Sequence, residues 1–130
     1  MPFSLPGICC AHINERMFEM KKLVILITLF VSVSAFSAFN CEVNVDRVLV
    51  YQDGSINILH NGRNDYTYIC NLNNTWKGVD VITCAMWTSM LQSTQNNDKR
   101  AIFYYDGTGS CAALPIYGSS PAPVYIGSID

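Results

Sequence analysis

Trp76 stands in a polar loop, Asn71-Leu72-Asn73-Asn74-Thr75-Trp76-Lys77-Gly78. An indole can lie against the apolar face of a sugar ring while Asn73, Asn74 and Lys77 hydrogen-bond its hydroxyls. The same indole could instead fold back and cap one end of a small β domain, which needs each aromatic it has. His60 follows an apolar run and precedes Asn61-Gly62, so it is expected as a solvated turn histidine. A Ser-His-Asp set would have to use it, and no serine is marked as its nucleophile. Asp53, Asp65 and Asp106 each sit among turn formers, which accounts for them better than a carboxylate pair for glycoside cleavage. The pattern points to binding rather than turnover, with no cofactor and no metal implied.

The leader sets the compartment. Lys21 and Lys22 precede the uncharged apolar run Leu23 to Val33, and the small residues Ser34, Ala35, Ser37 and Ala38 follow. This is the three-part form of a secretory signal peptide, too short for a comfortable membrane span. Cleavage is expected after Ala35 or Ser37, and Met17 or Met20 is a better start than Met1. Residues 1–37 are therefore read as an upstream extension plus signal peptide, and 38–130 as a single domain with no membrane span after cleavage. The lysine-led leader is of bacterial type, so the protein is expected to be secreted or periplasmic.

Cys41, Cys70, Cys84 and Cys111 remain in that domain. An even count in an exported chain indicates two disulfides in one of three connectivities. The preferred pairing is Cys70–Cys84 with Cys41–Cys111, because Cys70 and Cys84 sit where they can staple neighbouring segments. A structural zinc site is disfavoured, since no CxxC pair occurs and His60 is alone. The domain's acids (Glu42, Asp46, Asp53, Asp65, Asp80, Asp98, Asp106, Asp130) outnumber its bases (Arg47, Arg63, Lys77, Lys99, Arg100). Without a basic cluster, nucleic acid is not expected as a partner.

The elements that must position these residues alternate with turns. Val43 and Val45 alternate, then Val48 and Val50 in the opposite phase, which predicts a bulge at Asp46-Arg47. Asp53-Gly54 predicts a hairpin turn, and His60-Asn61-Gly62 a second. Tyr66 to Cys70 and Val79 to Thr83 read as strands by their period of two. The period then lengthens to about 3.6, with Cys84, Trp87 and Leu91 on one face, predicting a short helix over about 84–95 with Trp87 and Met90 in the core. Ala101 to Tyr105 follows as a strand apolar on both faces, where Tyr104 is either core or a recognition residue. Cys111 to Tyr117 reads as an edge strand broken by Pro115, and Val124 to Ile126 as a short last strand. The fold expected is mainly β: a small OB-fold-like barrel of five to six short strands, one helix and two disulfides.

The run Tyr68-x-Cys70, the second cysteine Cys84, the helix, and Ile102, Tyr104 and Tyr105 in RAIFYY resemble the B subunits of subtilase-cytotoxin-like and pertussis-like bacterial toxins. The hairpin VLVYQDGSI resembles their first hairpin, and the likeness covers about Val43 to Tyr105. It implies an OB fold, a pentameric ring with helices lining its pore, and binding of sialylated glycans. Their sugar site uses a serine just ahead of the first strand's core, where this chain has Asn44. The expected function is thus a secreted, non-enzymatic domain that binds a glycan or a protein surface, with homo-oligomers possible. The ligand residues expected are Asn44, Asn73, Asn74, Trp76, Lys77 and Tyr104. The alternatives are an inhibitor that plugs a hydrolase cleft with the Trp76 loop or the Ser119–Pro123 segment, and a structural secreted protein.

Overall fold

The computed structural model describes residues 37–130. The leader, its cleavage sites before Ser37, and Cys9 and Cys10 lie outside the described residues. Strands β1 (Ala38–Val50), β2 (Ser55–His60) and β3 (Tyr66–Asn71) are followed by helix α1 (Val81–Asn96), then β4 (Arg100–Asp106) and β5 (Tyr125–Ile129). The strands form one antiparallel sheet of five in the order β3-β2-β1-β4-β5. A helix between the third and fourth strands matches the OB-like expectation, and the first strand pairs both the second and the fourth.

Closure into a barrel does not. β5 leaves its outer edge unpaired within the sheet, and the far edge, β3, meets only a short strap from the segment before β5. Tyr117 makes a single parallel bridge with Thr67 through Tyr117 N–H to Tyr66 O (2.9 Å) and Tyr68 N–H to Tyr117 O (3.3 Å). Fully buried Ser120 adds to this seam: its Oγ accepts from Tyr68 N–H at 3.0 Å and lies 2.7 Å from the carbonyls of Tyr68 and Tyr117. The sheet is strapped at this edge, not closed.

β1 is the central strand because it supplies a buried residue at every second position, Cys41, Val43 and Val45. The expected bulge is present as a register shift between Val45 and Arg47. It turns the Asp46 carbonyl out of the ladder, where Gln95 at the end of α1 donates to it at 2.6 Å. The core lies between one face of the sheet and α1, built from Ile56, Ile58, Ile69, Phe103, Tyr105, Leu91 and Leu114. Both disulfides have the preferred pairing, Cys41–Cys111 and Cys70–Cys84, each with Cα atoms 5.5 Å apart.

Three readings are corrected. Val79 to Thr83 is no strand: α1 already begins at Val81, because the Asp80 carboxylate accepts from Thr83 N–H and Thr83 Oγ1, both at 2.9 Å. A capping aspartate satisfies donors that a strand would leave open, and it outweighs the β preference of Val81, Ile82 and Thr83. The helix buries Cys84, Thr88, Leu91 and Thr94, leaving Trp87 and Met90 half-buried beside the core. Thr88 and Thr94 can be buried because each hydroxyl donates to the carbonyl four residues back, at 2.8 Å. Cys111 to Tyr117 is no strand either, but a 3-10 turn (Cys111–Ala113) and an irregular run.

His60 is the third correction. It is fully buried at the end of β2, stacked on Phe103 at 5.7 Å. The turn after it packs tightly: a Cβ at Gly62 would meet Val43 Cγ1 at 2.5 Å, His60 Nδ1 at 3.2 Å and Cys111 Cβ at 3.4 Å. Val43 is itself core and cannot retreat. Gly62→Ala is therefore expected to destabilise by about 1–3 kcal/mol, read as an earlier chemical unfolding midpoint.

Candidate functional site

The loop after β3 is organised by Asn71, whose side chain is nearly buried. Its Oδ1 accepts from Asn73 N–H (2.7 Å) and Asn74 N–H (3.1 Å), an Asx turn. Its Nδ2 donates to Tyr68 Oη (2.9 Å) and to the Asp53 carbonyl (3.3 Å). The last bond ties this loop to the β1–β2 hairpin, and Leu72 N–H to Gly54 O (2.8 Å) doubles the tie.

The hairpin tip is braced from within as well. Tyr51 N–H donates to Ser55 O and Gly54 N–H to Tyr51 O, both at 2.9 Å. Asp53 Oδ1 accepts from Ser55 N–H (3.0 Å) and Ser55 Oγ (2.6 Å). These bonds hold the Asp53 carboxyl below the usual carboxylate range, so it stays ionised. Gly54 has φ +82°, and the Asn73 amide lies 2.8 Å from where a Cβ would stand. Only glycine allows both the turn and this close approach.

The result is a rigid end of the molecule with an exposed polar surface. Tyr51 is 43% exposed, and Gln52, Asp53, Asn73, Asn74 and Thr75 are all exposed. Tyr51, Gln52 and Asp53 line a shallow hollow of about 390 Å³. A flat ring, two kinds of amide and an ionised carboxylate on a braced backbone can grip a polyhydroxylated ligand without first ordering the loop.

The six expected ligand residues fall in three places. Asn73 and Asn74 are at this tip. Trp76 and Lys77 are one turn further, in a two-residue hairpin closed by Trp76 N–H to Val79 O (3.0 Å) and Val79 N–H to Trp76 O (2.9 Å). There the indole packs on Tyr68, ring centroids 4.4 Å apart, with the Lys77 ammonium 4.7 Å from the centre of its ring. Lys77 Nζ donates to Ser120 O (2.6 Å) and reaches Gly118 O (3.4 Å), so its charge pins the strap. Lys77 has φ +45°, a left-handed backbone that Gly78 shares at +86°. Asn44 and Tyr104 lie on the outer face of the sheet, Asn44 opposite Arg100 and Tyr104 opposite Asn40, roughly 13 Å apart along it. Asn44 N–H donates to Asn61 Oδ1 at 2.9 Å, and Tyr104 stacks on Tyr125 at 4.9 Å.

Tyr51, Gln52 and Asp53 belong to this candidate site without having been expected there from the sequence. Their signal was present in Tyr51-Gln52-Asp53-Gly54, an aromatic set directly on a polar turn, where burial is least expected.

A larger groove, about 890 Å³, runs beside α1 past Met86, Met90, Ser93 and Asn97. Its Lys99 is paired with Asp130. Among the described residues no group of three or more His, Cys, Asp or Glu side chains is placed to hold a metal ion, and no helix is long and apolar enough to cross a membrane.

No protein-family model matches this chain, and neither the curated proteins nor the solved structures contain a match to it.

Proposed function

We propose that the protein is an exported, non-enzymatic recognition domain that binds glycans through the tip formed by the β1–β2 hairpin and the Asn71–Thr75 loop. The observation that carries this reading is the bracing. Asn71, Asp53 and Gly54 fix the backbone, while Tyr51, Gln52 and Asn74 are exposed on it and the exposed Asn73 amide lies against Gly54. The two disulfides are the chemistry of an oxidising compartment and agree with export. Tyr51→Ala is expected to lower affinity about tenfold for any glycan found on an array, the loss of one ring–sugar contact, with the melting temperature unchanged. Full binding retained by Tyr51→Ala would remove the tip from the reading.

The same tip also supports a second reading, as the plug of a hydrolase inhibitor, because it is braced and carries exposed Val50 beside Tyr51. Tight inhibition of a hydrolase, with no glycan bound, would favour it. Assembly into a ring, which the toxin resemblance implies, belongs to the proposal too. Exposed Ile82 and Met86 on α1 support it, and light scattering reads the copy number directly.

A further inference from the structure

We infer that the tip selects an uncharged saccharide presenting adjacent hydroxyls, and that it refuses glycans ending in a carboxylated sugar. This rests on the reading of the tip as a carbohydrate site. Across Val50–Ser55 and Asn71–Thr75 the only charged side chain is Asp53. One of its oxygens, Oδ1, is occupied by Ser55, and among the described residues Oδ2 takes no hydrogen bond. An ionised oxygen of this kind accepts from a pair of sugar hydroxyls more strongly than a neutral amide does. A ligand carboxylate in the same hollow would face Asp53, which has no ion-pair partner among the described residues.

Among the described residues the cations nearest in sequence, Lys77 and Arg47, form no ion pair with Asp53. Lys77, two residues beyond Thr75, spends its ammonium on the Ser120 and Gly118 carbonyls and on the Trp76 ring. Arg47 lies opposite Leu59, about 13 Å back along β1 from Tyr51. Gln52, Asn73 and Asn74 are neutral and supply both donors and acceptors, which suits hydroxyl and N-acetyl groups. Tyr51 supplies the apolar face that a sugar ring requires and a phosphate or carboxylate does not.

The test is a titration of the full exported domain. The probes are neutral hexose and N-acetylhexosamine oligosaccharides, and the same cores capped by a carboxylated sugar. The neutral cores are expected to bind at least fivefold more tightly than their capped forms, a preference that shrinks at high salt. Asp53→Asn keeps the acceptor for Ser55, so it should fold as the parent does. It is expected to bind neutral cores several-fold more weakly and to lose the discrimination. Tighter binding of the capped forms would overturn the charge argument while leaving the carbohydrate site standing. Binding of neither set at millimolar concentration would remove the site, and this inference with it. An unchanged preference in Asp53→Asn would remove the carboxylate from the account.

Discussion

Replacing Cys41 and Cys111 together by alanine is expected to cost about 4 kcal/mol, by the loop-closure entropy that a cross-link 70 residues long withholds from the unfolded chain. For a domain of this size that is a large share of the total stability. The effect exceeds that of removing Cys70–Cys84, about 3 kcal/mol for its shorter separation of 14 residues. Structure adds to the difference. Cys111 holds the segment after β4 against the start of β1, beside Gly62 and Val43 in the core. The same segment continues through Leu114, whose carbonyl accepts from Arg63 Nε at 2.6 Å, into the strap that covers β3. Losing the bond therefore loosens the strap as well as the chain. Urea unfolding of each double variant, oxidised at its remaining pair, measures both costs. Equal midpoints for the two variants would refute this ordering.

Acid is expected to weaken the domain through His60. Burial is the main cause that holds its imidazole down to about 4 from an ordinary 6.5, with Arg63 adding to the effect and Asp46 opposing it. Neither ring nitrogen has a hydrogen-bond partner among the described residues. The unfolded chain takes up a proton as pH falls below about 6.5, whereas the folded chain resists until about 4. Between these values the unfolded state holds more protons, so stability declines as pH falls through that window. It is fully present above about 6.5, and the loss sums to about 3 kcal/mol by pH 4. His60→Leu removes the titration and keeps the volume nearly constant. The variant should lose this limb of the pH profile and be no less stable at pH 7, since no hydrogen bond is given up. Denaturant midpoints from pH 7.5 to 4 test this, and parallel profiles for parent and variant would count against it. The surface carboxylates Asp53, Asp80 and Asp130 are also held below their usual range, but they titrate alike in both proteins.

The strands and staples were legible because they rest on local chemistry. Period-two alternation at Val43 and Val45, the phase change at Asp46-Arg47 and the turn at Asp53-Gly54 all carried through to the register. Two expectations failed for different reasons. Val79 to Thr83 alternates like a strand, yet Asp80 caps a helix there through Thr83, a local signal that outweighs the alternation. His60 looks like a turn residue from its neighbours. It is buried because β1 and β4 close over it, a contact with Val45 and Phe103 that no short window contains. The site was half legible for the same reason. Asn73 and Asn74 announce themselves in a run of amides, but Tyr51 and Asp53 join them only through Asn71, 18 residues away from Asp53. Trp76 drew attention by its chemistry, and the structure commits it to Tyr68 and Lys77.

The central position of β1 also dictates when the molecule can be finished. Ala38 pairs with Asp106 and Asn44 with Arg100, so the earliest described strand has to wait for nearly the latest. Such long-range pairing makes assembly slow. In a chain that emerges amino end first, the thiol of Cys41 meets those of Cys70 and Cys84 before its true partner Cys111 arrives. Oxidation before Cys111 arrives would pair Cys41 wrongly, and the expected route to the native pairing is then thiol–disulfide exchange.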